Sequence, residues 1–242
     1  MIPVTYARYE LVRAVRNGRF FIFSLVFPLV LFLLVAGPNK HEELAGVPFP
    51  VYYMTGMVAW GTMGAILTTG GRIAVERSLG WHRQLRVTPL TAREYLVGKV
   101  AIGYAMALGS IALLYSAGIG MGVSLPAGRW VEMTAMILIG LVPFAVLGVY
   151  LGHVLNAESI APALGGLTAL FALLGGAWSP VATGGFLLRL TQLLPSYWLV
   201  RAGQIAFDGG AWPAKAWIVI GVWTFVGARL AARAWRRDTQ RA

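Results

Sequence analysis

Residues 51–71, VYYMTGMVAWGTMGAILTTGG, carry no charge, and residues 72–99, RIAVERSLGWHRQLRVTPLTAREYLVGK, follow with six basic and two acidic side chains. A charge-free run of that length meets the ~20 residues a helix needs to cross a hydrocarbon core. The abrupt change to a basic cluster marks where the chain returns to water. Working outward, the same apolar texture recurs near 20–36, 99–122, 131–152, 160–178 and 212–230, so six spans are expected in one transmembrane domain covering residues 1–242. Hydrophobic residues are 58% of the chain, charged residues 12%, and mean hydropathy is +0.70. Soluble domains average about 45–50% apolar and about 25% charged, so the surplus must face lipid. A soluble helical core would need polar helix faces, and these segments have few.

Charge sets the orientation. The first 19 residues hold four Arg, residues 72–99 hold six Lys/Arg, and Arg229, Arg233, Arg236, Arg237 and Arg241 close the chain. The segments that must alternate with these hold only Lys40, Arg129, Arg189, Arg201 and Lys215. Cytoplasmic loops are rich in Lys and Arg, and fifteen against five puts both termini in the cytosol and requires an even number of spans. The net charge of +11 is then a topology signal with an attraction for anionic membrane lipids, rather than the footprint of a nucleic-acid partner. Arg8, Arg13, Arg16 and Arg19 precede the first apolar run as in a signal peptide. That run is longer than an ordinary h-region and lacks a clear small-x-small cleavage site, so it reads as an uncleaved span.

Several chemistries are excluded. There is no cysteine, hence no disulfide and no thiolate metal site, and His41, His82 and His153 are too scattered in sequence for a histidine metal cluster. Gly98-Lys99 has the ending of a P-loop, but Arg93 stands where its first glycine belongs and Val100 replaces the Ser/Thr. There is no HExxH, no GxSxG and no pair of intramembrane carboxylates, so no catalytic residue is expected. Glu132, His153 and Glu158 fall near span ends, where contact with water or headgroups is the plainer reading than a functional intramembrane charge.

Local signals fill in the layout. Residues 1–19 read as an interfacial helix, with Arg8 snorkelling from its apolar face. Pro28 and Pro143 should kink the first and fourth spans. Thr91 and Glu94 form a capping box that opens the third span, while Ser159 and Pro162 suit the start of the fifth. Gly56 and Gly61 in the second span, and the GxxxG pairs Gly118/Gly122 and Gly148/Gly152, permit close helix packing, with a dimer seam as the alternative. Over residues 179–211, Leu187, Leu190 and Leu194 share a face, Pro195 breaks the helix, and Ser196 can cap a second piece through Tyr197 and Trp198. This reads as a re-entrant hairpin or an interfacial helix pair on the outer side. A full extra span would place the five terminal arginines outside.

The stretch from Glu76 to Leu90 is the most informative. Trp81 and Leu85 share one helical face while His82, Arg83 and Arg86 point elsewhere. A short amphipathic cytoplasmic helix tied to two spans could transmit a push. On physics alone an ordinary positive-inside loop has an equal claim. Glu76-Arg77-x-x-Gly80, followed by Leu85-Arg86-x-Thr88-Pro89-Leu90, resembles the corresponding segment of type-2 ATP-binding-cassette (ABC) exporter permeases of the daunorubicin-resistance-like group. Arg16-Asn17-Gly18-Arg19-Phe20 leading into Phe27-Pro28-Leu29 is similar to that family's approach to its first span, apart from Gly18, where many members carry proline. Gly176-Ala177-Trp178-Ser179-Pro180 with Leu194-Pro195 is similar to its fifth span and outer hairpin.

The resemblance implies an all-α integral membrane protein of six transmembrane helices. It adds an amino-terminal interfacial helix, a coupling helix within the cytoplasmic loop 72–98, and an outer re-entrant hairpin at 179–211. Two such subunits, alike or different, would form the pathway, each docked on a separate ATPase that holds the ATP and magnesium; this chain would carry no cofactor. Glu76, Arg77, Gly80, Trp81, Leu85, Arg86, Thr88 and Pro89 would form the ATPase-coupling contact. Trp178, Pro180, Pro195, Tyr197 and Trp198 would belong to the outer hairpin. The expected site is a bacterial inner membrane, and the expected cargo is hydrophobic or amphipathic: a drug, lipid or glycolipid. An ion-coupled carrier and a membrane-embedded enzyme are the competing classes.

Overall fold

One helix of 30 residues, Phe49–Ser78, forms the axis on which the other elements pack. The computed structural model describes residues 25–44, 46–80, 91–181, 184–208 and 210–241. In chain order these form α1 (Phe27–Ala36), a short antiparallel ladder β1 (Glu43–Leu44) and β2 (Val47–Pro48), then α2 (Phe49–Ser78) and α3 (Ala92–Gly120). There follow α4 (Ala127–Gly140), α5 (Val142–Val154), α6 (Ile160–Gly175), α7 (Gly185–Thr191), α8 (Pro195–Asp208) and α9 (Ala214–Arg241). The ladder is the one departure from an all-helical expectation among the described residues. Residues 1–19, read as an interfacial helix, lie outside them.

Arg93–Gly120, Ala127–Val154 and Ala214–Asp238 are each long and apolar enough to cross a membrane, while α1 and α6 are shorter apolar helices. The axis α2 is more polar because protein, not lipid, covers it. It is buried along most of its length, and Thr55, Thr62 and Thr69 donate their hydroxyls to the carbonyls of Tyr52, Val58 and Ala65 in its own preceding turns. Around it stand α1, α3, α5, α6 and α8, with α4 against α8 and α9 against α5.

Small residues set the spacing. A Cβ on Gly148 would lie 2.8 Å from the Leu67 carbonyl oxygen, and one on Gly152 would lie 2.5 Å from that of Gly70. The α2–α5 contact is therefore nearly backbone against backbone. Gly56 meets Ala177 of the α6–α7 connection in the same way, Gly61 meets Ser110 and Pro28, and Gly118 meets Met54. All are contacts within one chain. Gly118 and Gly122 do not form one stripe, because α3 ends at Gly120 and Gly122 sits in the turn beyond.

Boundaries differ from expectation in instructive ways. The fourth expected span breaks at Leu141, just before Pro143, which cannot donate to the preceding turn. The fifth stops at Gly175 because Gly176 turns left-handed with φ +80°. At the start of α6, Ser159 makes no capping bond; Asn156 does that work, its Oδ1 accepting from the Ser159 amide at 2.8 Å. The largest difference concerns the charged segment. Residues 72–78 are still α2 and residues 92–99 already α3, so most of the expected loop 72–98 is helix.

The elements alternate end to end. The last turn of α2, the first of α3, the last of α5 and the last of α9 meet at one end of the bundle. At the other end, Gly56 and Thr55 of α2 meet Ala177 and Gly203. Between α6 and α9 the chain stays near that second end: Gln192 accepts from Lys215 at 2.6 Å, and Trp223 donates to the Leu193 carbonyl at 2.9 Å.

Candidate functional site

Where α2 ends, consecutive residues Glu76 and Arg77 point about 100° apart and engage different neighbours. Glu76 turns toward α3. Its carboxylate accepts from the Tyr95 hydroxyl at 2.5 Å and from the Lys99 ammonium, and all three side chains are within 2% of fully buried. Tyr95 and Lys99 are four residues apart on one face of α3, which brings both donors to the same carboxylate. The Lys99 nitrogen also stands 5.4 Å from the Tyr95 ring centre. An isolated charge at this depth would cost several kcal/mol, roughly the penalty that each partner here offsets for the other.

Arg77 turns the other way. Its guanidinium donates to the carbonyls of Gly152 at 3.3 Å and His153 at 2.6 Å, the orphan acceptors at the end of α5, where a cation also meets the negative end of the helix dipole. The same group reaches Asp238 of α9 at 2.7 Å, and the second oxygen of that carboxylate lies 2.7 Å from His153 Nδ1. Trp235 closes the gap between the two sets. Its ring lies edge-on to His153 at 5.2 Å and tilted against Tyr95 at 6.4 Å. Four helices are thus joined by polar side chains in a single layer at one end of the bundle.

The layer sits at both attachment points of residues 81–90. On one side α2 ends at Ser78 and the chain turns away at Gly80, whose φ of +70° is left-handed and whose amide bonds the Arg77 carbonyl at 3.1 Å. On the other, the expected capping box is present: the Glu94 carboxylate accepts from the Thr91 amide at 2.8 Å and the Glu94 amide donates to the Thr91 hydroxyl at 3.3 Å. Trp81, Leu85, Arg86, Thr88 and Pro89 lie outside the described residues.

The other sequence candidates fall elsewhere. Glu132 is exposed and pairs with Arg129 at 3.0 Å, and Glu158 is exposed. At the far end Trp178 stands edge-on to Trp60 at 5.2 Å, Pro180 is exposed, and Pro195 opens α8 from a buried position. There the Trp198 indole donates to the Gln192 carbonyl at 2.9 Å, closing the α7–α8 joint, with Tyr197 edge-on to it. Among the described residues no three His, Asp or Glu side chains are placed to hold a metal ion. Sequence reasoning missed Tyr95, Lys99, Trp235 and Asp238 as members of one layer. Asp238 left a signal, being the lone acid in a terminal run of arginines.

Comparison with known proteins adds an independent line. No protein-family model matches the chain. It is 30% identical over 209 residues to a protein of Bacillus subtilis (strain 168) named "Putative transport permease YvfS", a match that covers 84% of this chain and 81% of that relative. A match of that extent covers most of the chain, and the chain therefore belongs to the transport permeases of the membrane.

Proposed function

We propose that this chain is the membrane subunit of an ATP-binding-cassette exporter of the type-2, daunorubicin-resistance-like group. It crosses the bacterial inner membrane six times with both termini in the cytosol, and residues 179–211 form an outer hairpin. Two such subunits enclose the pathway, and a separate ATPase supplies the energy. The cargo is hydrophobic or amphipathic. Support comes from the resemblance at residues 76–90, the transport-permease relative and the basic bias of the three segments assigned to the cytosol.

The observation that carries the reading is the polar layer behind residues 81–90. A push on that segment is delivered at Gly80 and Thr91, where Glu76–Lys99–Tyr95 fastens α2 to α3 and Arg77–Asp238–His153 fastens α2 to α5 and α9. Glu76 and Arg77 then act behind the ATPase contact, as the mount on which it moves, and Trp81, Leu85 and Arg86 supply the contact itself.

Pull-down from the native membrane should bring an ATPase with the chain. In vesicles holding both, Arg86→Ala should lower cargo-stimulated ATP hydrolysis roughly tenfold or more, the loss expected when one partner of an interface charge pair is truncated. Unchanged stimulation would overturn the coupling role. The buried Glu76–Lys99 pair keeps an ion-coupled carrier as the second reading, since charged groups at membrane depth often mark ion paths. Transport driven by a pH gradient in vesicles without ATP would favour that reading.

A further inference from the structure

A groove of about 570 Å³ runs between α3, α5 and α9. Its walls are mostly aliphatic: Val97 and Val100 of α3, Val146 and Val149 of α5, and a run of alanines on α9 at positions 228, 231 and 232. The alanines create it, because three small side chains at helical spacing leave a trough where larger ones would fill the space. One side is open, as the 59% exposure of Val97 shows. Among the described residues a single charged one, Arg236, lines it, at the end nearest the polar layer. Arg93 lies one turn before Leu96 and Val97 on the same face of α3, so a second cation stands at that end.

We propose that this groove holds one acyl chain of an anionic phospholipid from the cytoplasmic leaflet, with its phosphate at Arg236. The volume lies within the about 300–1,000 Å³ of small-molecule sites. Length selects the occupant. From Ala228 to Arg236 the groove follows about 12 Å of α9 at 1.5 Å per residue, close to half of a ~30 Å hydrocarbon core. That suits one chain of one leaflet and is too short to seat a membrane-crossing helix of another protein. Charge selects the headgroup: apolar walls accept any acyl chain, while an arginine at the mouth prefers a net-negative phosphate. Trp235 is a wall of the groove and also touches His153 and Tyr95, so the bound chain braces the ring that separates the two ionic sets. The site requires the α9 end of the bundle to be cytosolic but does not depend on the ATPase, and its test is read without one.

The chain, with whatever copies and partners it carries, is purified in mild detergent and given equal phosphatidylglycerol and phosphatidylcholine of matched acyl length. Lipids retained are counted by native mass spectrometry. The wild type should hold phosphatidylglycerol in preference, and Arg236→Gln should lower that preference roughly fivefold, the weight of one arginine on an anionic surface. Arg237→Gln, the same charge loss about 100° round α9 from Arg236, should leave it unchanged. Ala232→Leu fills the trough from an exposed position and should release the lipid whatever its headgroup; Ala228→Leu repeats that test independently. Equal retention of the two lipids by the wild type would overturn the proposal. So would an equal loss in Arg237→Gln and Arg236→Gln, or a groove-filling variant that keeps its lipid.

Discussion

The two ends of α2 are fastened by different physics. At its start, Gly56 lets the Ala177 backbone approach, Thr55 packs on Gly203, and Trp60 meets Trp178 edge to face. None of these three contacts is ionic. At its finish the contacts are Glu76 with Lys99 and Tyr95, and Arg77 with Asp238 and the end of α5. Dispersion between closely packed atoms is lost within an ångström of separation and has no substitute partner, so the first end acts as a clamp. Ionic contacts at a rim can be exchanged for water, so part of the second end can open. Within that second end the buried Glu76 pair resists opening, which binds α2 and α3 into one unit. The partly exposed Asp238 link joins that unit to α5 and α9, and it is where movement costs least.

Breaking the buried pair should produce the largest effect. Lys99→Met takes the ammonium away from the buried Glu76 carboxylate and should lower stability by about 3–5 kcal/mol. Glu76→Gln added to Lys99→Met should recover most of the loss, because the buried negative charge is gone. The midpoint of thermal unfolding in detergent reads both, with Lys215→Met, at an exposed lysine, as the comparison. A Lys99→Met loss no larger than that of Lys215→Met would remove the distinction between buried and rim charges. The clamp comes next. An added Cβ at Gly56 would fall 1.9 Å from the Ala177 carbonyl oxygen, so Gly56→Ala must push two backbones apart and should cost about 1–3 kcal/mol. Gly128→Ala, with no neighbouring atom within 4 Å, should do nothing of the kind. Equal melting of these two variants would mean that this end of the bundle is loosely packed.

These contacts explain which features the sequence could disclose. Apolar runs and the Thr91–Glu94 capping box are local: the runs near 99–122, 131–152 and 212–230 each overlap a helix long and apolar enough to cross a membrane, and the capping box stands where the spacing puts it. The charged run over 72–99 reads as solvent-facing because hydropathy scores every charge as if it met water. Glu76 and Lys99 are 23 positions apart and cancel only once α2 and α3 lie side by side. Spacing alone also misleads at Gly118 and Gly122, where the four-residue interval is right but the helix ends between them. Conversely, Gly148 and Gly152 do face a partner, and that partner is α2 of the same chain.

The smallest effect sharpens the comparison most. Asp238→Asn keeps the shape of the side chain and removes the charge that faces both Arg77 and His153. The Arg77 and Asp238 side chains remain 29% and 19% exposed, so the stability loss should be near that of a surface pair, about 1 kcal/mol. Ionic strength then separates the two sets of charges. Rim charges are screened over roughly 8–10 Å at 0.1–0.15 M salt, whereas a pair sealed among side chains is not. Raising salt should therefore lower the melting point of the wild type slightly and leave that of Asp238→Asn nearly flat. It should leave the cost of Lys99→Met unchanged. If Asp238→Asn kept the salt response of the wild type, the screened charges would lie elsewhere, and α9 would have to be held to α2 by packing alone.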